Sequence, residues 1–346
     1  MILISGGLGY LGGRIAEYLL NSGFHVRIGS SRINPEIPLN LSSCEVVLYD
    51  LSDKNSLENA CKNVSSIIHL ASLNAQECNQ DPQSALLING LGTFNLLKAA
   101  EKMNVSKFIY FSTAHVYSSP LKGEIDESLV PRPVHAYSIT HRLAEDYALQ
   151  VDHQKSLSSI IFRLTNGVGS PLSRETNCWM LVVNDLCKQV VLNQSMELRS
   201  DELVQRDFFP ISSVCSIVVS ALKSNALNGE IVNISSGNSL TLRQLTDLIA
   251  DRSEVVLGFR PIVRFKSSSK SALIIEPLII SNNYLGYNIK AIIEKFHVYC
   301  VDEPNGSKIS LNSTKGGDII QLSGYYYYEP IKTSSHEKMD LFEKNR

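Results

Sequence analysis

The 346-residue chain is long enough for one large or two smaller domains, and 44% hydrophobic with 19% charged residues describes a globular protein. A net charge of −2 gives no electrostatic footprint for nucleic acid or an anionic membrane surface, and no run of about 18 apolar residues is present to span a bilayer. Seven scattered cysteines without a Cys-x-x-Cys pair fit reduced thiols, and neither a zinc site nor a disulfide framework.

The chain opens on Ile2-Leu3-Ile4-Ser5, an apolar run that breaks into Gly6, Gly9 and Gly12 and then enters an amphipathic stretch through Leu20. Glycines permit a tight turn and a close backbone approach to a ligand. The helix start behind them points unpaired N–H groups and its positive dipole end outward, which suits a pyrophosphate. Gly6, Gly9, Tyr10, Leu11 and Gly12 are therefore candidate cofactor-binding residues, the plain alternative being an ordinary strand-to-helix turn. With this strand starting at Met1, no leader is expected and the protein reads as cytoplasmic.

Phe24-His25-Val26-Arg27-Ile28 is a second strand, running into Gly29-Ser30-Ser31-Arg32. An acid commonly stands near here to bind the ribose 2′-hydroxyl of NAD; none is present. Small residues leave room for a 2′-phosphate, and Arg32 is able to pair with it, so NADP is favoured slightly over NAD. A solvated loop charge is the bland reading of Arg32.

Further strands are expected at 45–49, 66–71, 107–111 and 159–164, with helices at 53–62, 81–103 and 136–153 between them. Strands and helices alternating at this spacing predict an α/β fold with a doubly wound parallel sheet of Rossmann type. Ligands of such sheets bind at the carboxyl ends of the strands, here Ser30, Asp50, Ala71, Thr113 and Asn166. Residues 1–166 then form the NAD(P)-binding domain. Residues 167–297 form a smaller substrate lobe, with the chain free to cross between lobes: a helix at 178–192, a strand at 206–211 followed by a helix to 222, a strand at 231–235 and a helix at 242–252. Residues 298–346 remain unassigned, with a frayed end expected.

Several signatures stand in order along the chain: Gly6-x-x-Gly9-x-x-Gly12, Asp50-Leu51, His69-Leu70-Ala71, Asn89 with Gly92-Thr93, Ser112-Thr113-Ala114-His115-Val116-Tyr117, Tyr137-Ser138-Ile139-Thr140-His141, Arg163-Leu164-Thr165-Asn166, Arg206-Asp207-Phe208 and Asn233-Ile234. Through them the chain resembles the extended short-chain dehydrogenase/reductases, in particular the NAD-dependent epimerase/dehydratase branch acting on nucleotide sugars, over about residues 1–250 with a weaker echo to 297. The resemblance implies hydride transfer between a sugar carbon and a nicotinamide, with a proton relay on the sugar oxygen. It assigns Tyr137 as acid/base and Thr113 as its hydrogen-bonding aid. It puts Asp50 and Leu51 near the adenine, Leu70 and Ala71 along the cofactor groove, Asn166 on the substrate side, and Arg206 at the sugar nucleotide's diphosphate. A turn cap competes as a reading of Asp50, and a surface pair with Asp207 competes as a reading of Arg206. A homodimer through the helices near 81–103 and 136–153 is also implied.

The departures are as informative. The family motif is Tyr-x-x-x-Lys, and the lysine position holds His141. Positions four apart share a helix face, so His141 stands beside Tyr137. The lysine binds the nicotinamide ribose and lowers the tyrosine pKa by its charge, whereas histidine is shorter and only partly charged at neutral pH. The chain reads either as an epimerase or keto-reductase using His141, or as an impaired NAD(P)-binding protein with a sensor or assembly role. Ala114-His115 replaces the Asp-Glu pair that dehydratases of the branch carry, so 4,6-dehydratase activity is not expected. His69, inside an apolar strand, reads as a satisfied core histidine. The final Leu-Gly-aromatic element is echoed at Tyr284-Leu285-Gly286-Tyr287, without a clear preceding Arg and Asp; Lys270 is the nearest base and Ser281 stands near the acid's place.

Overall fold

A computed structural model describes residues 1–265 and 277–281. The expected strands form one seven-stranded sheet. In chain order they are β1 (Ile2–Ser5), β2 (Val26–Ser30), β3 (Glu45–Leu48), β4 (Ser66–His69), β5 (Lys107–Thr113), β6 (Ser158–Leu164) and β7 (Ile231–Ile234). Their spatial order is β7-β6-β5-β4-β1-β2-β3, every pair parallel. β1, β2, β4 and β5 are buried at every residue, as a parallel sheet covered by helices on both faces requires, while β3 is a half-exposed edge. The strand order reverses between β1 and β4, which opens a crevice at their carboxyl ends.

Cations at the opposite end of the sheet tie strands to helix ends. Lys107 Nζ donates to the Ala221 and Ser224 carbonyls, both at 2.6 Å, and Arg27 Nη1 donates to Ala60 and Lys62, both at 2.7 Å. The helices that matter below are α1 (Tyr10–Asn21), α2 (Gly92–Lys102), α3 (Ala136–His153) and α4 (Ile211–Lys223). The expected helix at 81–103 is not one regular helix. It runs as Pro82–Ala85, a π-helical turn at Leu86–Leu91, and then α2. Glycines sit where the turn is pressed: Leu143 lies against Gly90 and Leu51 against Gly92, at distances a side chain there would not tolerate.

The chain crosses between lobes. Residues 231–234, read from the sequence as part of the second lobe, supply the seventh strand of the central sheet. Ile231–Ile234 pairs with Ile161–Leu164 because its apolar residues complete the core beneath α4, which itself packs on α1. The chain therefore returns to the first domain after leaving it at 166. The second lobe keeps Val182–Asn193 and Leu242–Leu257 over a separate core of Val183, Leu186, Val190, Leu245 and Ile249. No helix among the described residues is long and apolar enough to cross a membrane. The Tyr284–Tyr287 echo, Lys270 and the 298–346 extension lie outside the described residues.

Candidate active site

The glycine turn is built by backbone contact. Gly6 has φ +74°, a region that favours glycine, and a side chain there would meet the Leu70–Ala71 backbone at 3.0–3.3 Å. Leu70 N donates to Ser5 O at 3.1 Å, so Leu70 and Ala71 border the turn directly. A Cβ on Gly12 would overlap the Gly6 carbonyl oxygen, which lets α1 begin hard against the turn. The α1 N-cap is Gly9, which has no side chain to cap the helix, so the first-turn N–H groups around Tyr10, Leu11 and Gly12 stay available to a ligand.

The Tyr10 side chain goes elsewhere: its hydroxyl donates to Gly169 O at 2.6 Å and lies 3.3 Å from Asn184 Oδ1. Only its backbone faces the turn's purpose. Ser30 Oγ accepts from Arg32 N at 3.1 Å and closes the turn after β2. Arg32 is exposed and lines a cleft of about 370 Å³ with Gly9 and Gly13, a cleft that also holds Glu17, Glu36 and Glu175. Asp50 acts as a turn cap, Oδ1 accepting from Ser52 N (2.8 Å) and Ser52 Oγ (2.7 Å); these bonds hold its carboxyl below the usual range. Leu51 packs on Gly92, and its carbonyl accepts from Asn95 at 2.9 Å.

Tyr137, Thr113 and His141 come together. Thr113 ends β5 and stands near enough to the phenol of Tyr137, in the first turn of α3, to influence its pKa. Burial pushes the phenol up to about 12, and Thr113 acts in the opposite direction. The His141 ring meets Tyr137 edge-on, centroids 4.5 Å apart. His141 is buried, at 2% exposure, and burial pulls its imidazole down to about 3. It is therefore neutral at any physiological pH and cannot supply the charge of a lysine. Tyr110 OH lies 2.6 Å from His141 Nδ1, while Nε2 is buried without a hydrogen-bond partner among the described residues.

A buried ion pair ties α3 to β6, and a serine of β5 joins it. Arg163 Nε and Nη2 reach Glu145 Oε1 and Oε2 at 2.9 and 2.7 Å, and Ser112 donates to Oε1 at 2.5 Å. Arg163 also lies over the Tyr117 ring at 4.7 Å. Ser112 precedes Thr113 and Glu145 lies two turns beyond Tyr137, so this network fixes the register between β5 and α3 at these two side chains.

His69 is the satisfied core histidine expected. Ser5 Oγ is 2.7 Å from its Nδ1 and Thr93 Oγ1 2.9 Å from its Nε2, and burial pulls the ring down to about 3. Asn89, buried in the π-helical turn, bonds Leu73 N at 2.8 Å and Thr140 Oγ1 at 3.2 Å.

His135 stands beside Tyr137, with His115 next to it. His135 is the N-cap of α3, its Nδ1 accepting from Ser138 N at 3.2 Å, and its ring stacks against Tyr137 at 6.2 Å. His115 lies 5.8 Å from His135. Burial, His135 and Arg206 all lower its pKa. The surface pair Arg206–Asp207 does not form. Asp207 is buried and turned inward, accepting from Thr165 Oγ1 at 2.7 Å and Ser236 N at 2.9 Å, with burial raising its carboxyl to about 6. Arg206 is half-buried and has no ion pair among the described residues. Asn166 spends its amide on the Asp207 carbonyl at 2.7 Å, joining two strands of the second lobe.

Sequence reasoning missed Tyr110 and His135. A tyrosine inside a fully apolar strand was a usable signal for the first, because a buried phenol needs a partner. Nothing in the sequence marked His135, since histidine is not a usual N-cap residue.

The family model for the NAD dependent epimerase/dehydratase family matches residues 2–235. The chain belongs to this family. Among its members, a GDP-6-deoxy-D-mannose reductase from Pseudomonas aeruginosa is 30% identical over 60% of this chain and 70% of that protein. A UDP-glucose 4-epimerase from Rhizobium leguminosarum is 25% identical over 73% of this chain and 82% of its own length. In fold, the chain resembles the Bacillus cereus UDP-glucuronic acid 4-epimerase in complex with UDP-glucuronic acid and NAD, with a TM-score of 0.65 and 22% identity over 80% of this chain and 87% of that one. Family members thus include both epimerases and reductases of nucleotide sugars.

Proposed function

We propose that the chain is a nicotinamide-dependent nucleotide-sugar epimerase or keto-reductase. The observation that carries this is the meeting of Tyr137 and His141, ring centroids 4.5 Å apart, with Thr113 at the carboxyl end of β5 near enough to the phenol to lower its pKa, beside a glycine turn whose helix start is free to take a pyrophosphate. Gly6, Gly9 and Gly12 with the first turn of α1 hold the cofactor's diphosphate, Leu70 and Ala71 its groove, and His141 Nε2 a ribose hydroxyl. When bound, the cofactor accepts hydride from a sugar carbon or delivers it.

Tyr137 removes the proton from the sugar hydroxyl in oxidation and returns it in reduction. Thr113 stands beside the Tyr137 phenol and favours its ionised form. Tyr110 fixes the orientation of the His141 ring. Arg206 faces the substrate's diphosphate. Glu36 lines the cleft beside Arg32 and opposes a 2′-phosphate, which supports NAD over the NADP that Arg32 alone favours. With Ala114 and His115 following Thr113, water elimination lacks its acid and base. Leu86, Leu87, Leu91 and Ile139 are exposed on the packed helical faces near 86–91 and on α3, an apolar patch that supports a homodimer there.

The neutral His141 favours a second reading, a cofactor-binding protein without redox turnover, because the phenol has no cation to lower its pKa. The test is Tyr137→Phe, assayed with uridine and guanosine diphosphate sugars. Turnover falls at least about a thousandfold while NAD binding stays within about twofold. Absence of turnover in the wild type, with NAD bound normally, selects the second reading.

A further inference from the structure

Tyr10 sits in the first turn of α1, yet its side chain is fastened to the second lobe. The phenol donates to Gly169 O at 2.6 Å, with Asn184 Oδ1 at 3.3 Å as a second acceptor. Gly169 opens the segment 169–181, and Asn184 lies on the helix Val182–Asn193 that follows it. The segment lies against the start of α1: Leu172 Cβ is 3.4 Å from the place a Cβ on Gly13 would occupy. Pro171, Leu172 and Thr176 line the cleft of about 370 Å³ together with Gly9 and Arg32, so the second lobe supplies one wall beside the glycine turn.

Little else ties this wall to the first domain. Among the described residues, the other hydrogen bonds of 170–181 stay inside the segment or run to the helix behind it. Thr176 N donates to Ser173 O at 3.1 Å, Trp179 Nε1 to Arg174 O at 3.0 Å, and Asp185 N to Leu181 O at 2.8 Å. Ser170 Oγ and Asn184 Nδ2 are buried without a partner among the described residues, which disfavours the closed arrangement that the Tyr10 bond maintains.

We propose that Tyr10 is a positioning residue whose phenol latches the segment 169–181 over the cleft, so that a bound dinucleotide leaves only when the latch opens. The same residue joins ligand and latch. Its turn has no side-chain cap, so an anion on the first N–H groups of α1 steadies the backbone from which the phenol reaches Gly169. This rests on the reading of the glycine turn as the cofactor's diphosphate site.

The test is Tyr10→Phe, which removes the hydroxyl and keeps the ring that packs on the core. Trp179, the one tryptophan of the chain, lies in the segment and reports on it. In the variant without NAD, Trp179 emission moves to the red, and amide hydrogen exchange over 170–181 quickens at least about fivefold while the α1 interior keeps its protection. NAD dissociation, measured by displacement in stopped flow, quickens at least about fivefold, with the association rate within about twofold of wild type. Unchanged emission and exchange overturn the latch, as does exchange that quickens equally in α1, which would mark a folding defect. Normal NAD binding with equal dissociation rates in both proteins removes the latch alone. A wild type that does not bind NAD removes the diphosphate reading and the retention role with it.

Discussion

His141→Lys is the sharpest probe of how this site handles its proton. The Tyr137 phenol stands at about 12, so at pH 8 its ionised fraction is on the order of 10⁻⁴. Burial raises the pKa, which favours the neutral phenol, so base strength appears only as pH rises. The wild-type kcat/KM for sugar oxidation therefore climbs about tenfold per pH unit from 7 to 9 without a plateau. His141 touches the Tyr137 ring, with centroids 4.5 Å apart, and it is neutral. A lysine in its place puts a cation within about 4–6 Å of the phenol oxygen, which lowers an acid's pKa by about 1–3 units. The variant's profile then bends at a pH lower by that amount, and its rate at pH 8 rises about 10- to 1000-fold. Tyr110 OH, which faces His141 Nδ1, is in place to accept from the ammonium. The assay is kcat/KM against pH for both proteins, with NAD affinity and thermal midpoint as controls. A wild-type plateau near pH 7, or a lysine variant that is slower at pH 8 with NAD affinity intact, refutes the reasoning.

Two further outcomes follow from the same contacts. The buried His69 and His141 are held near 3 when folded, against about 6.5 when unfolded, so the unfolded chain binds their protons first as pH falls. Their stabilisation is complete above pH 6.5 and is lost below it, each contributing a slope of up to about 1.4 kcal/mol per pH unit. Asp207, raised to about 6, works in the opposite direction between about pH 4 and 6, so urea unfolding at pH 7, 6 and 5 shows a net fall that His69→Asn makes shallower; an unchanged slope in that variant counts against it. Gly12→Ala drives a methyl into the Gly6 carbonyl, and NAD affinity measured by fluorescence drops at least about a hundredfold, corresponding to roughly 3 kcal/mol; retention of wild-type affinity would show that the turn is not the diphosphate site.

The sheet was legible because its strands are continuous apolar runs bounded by turn residues, and the glycine spacing marked a tight turn at the carboxyl end of the first strand. Tyr137, Thr113 and His141 were singled out by the family motif, and their meeting follows from two local facts, a four-residue spacing on a helix and the end of a strand. Three things were not. The return of residues 231–234 to the central sheet depends on which strand edge remains unpaired, a property of the assembled sheet. The side chains of Tyr10 and Asn166 sit at positions implied to meet ligands, yet spend their polar atoms on Gly169 and Asp207, partners 159 and 41 residues away. The inward turn of Asp207 had no sequence signal, because a neighbouring Arg and Asp look alike whether they pair or part.

Histidine at the lysine position belongs to a larger polar arrangement. Ser5, His69, Thr93, Asn89 and Thr140 form a buried hydrogen-bonded chain from the end of β1 to the flank of α3. Tyr110 adjoins it, its ring 5.7 Å from His69, and carries the bond to His141. Such a chain in a dry core is stable only when its members are paired, since each unpaired polar atom costs about 1–3 kcal/mol. His141 Nε2, where this arrangement reaches Tyr137, is buried without a partner. A hydroxyl from a bound ribose would satisfy it, and a core that tolerates the deficit at the cofactor edge is arranged to receive such a group. The proposed ribose contact at His141 Nε2 is independent of whether the phenol turns over, which is why affinity and rate must be measured separately in every variant of His141.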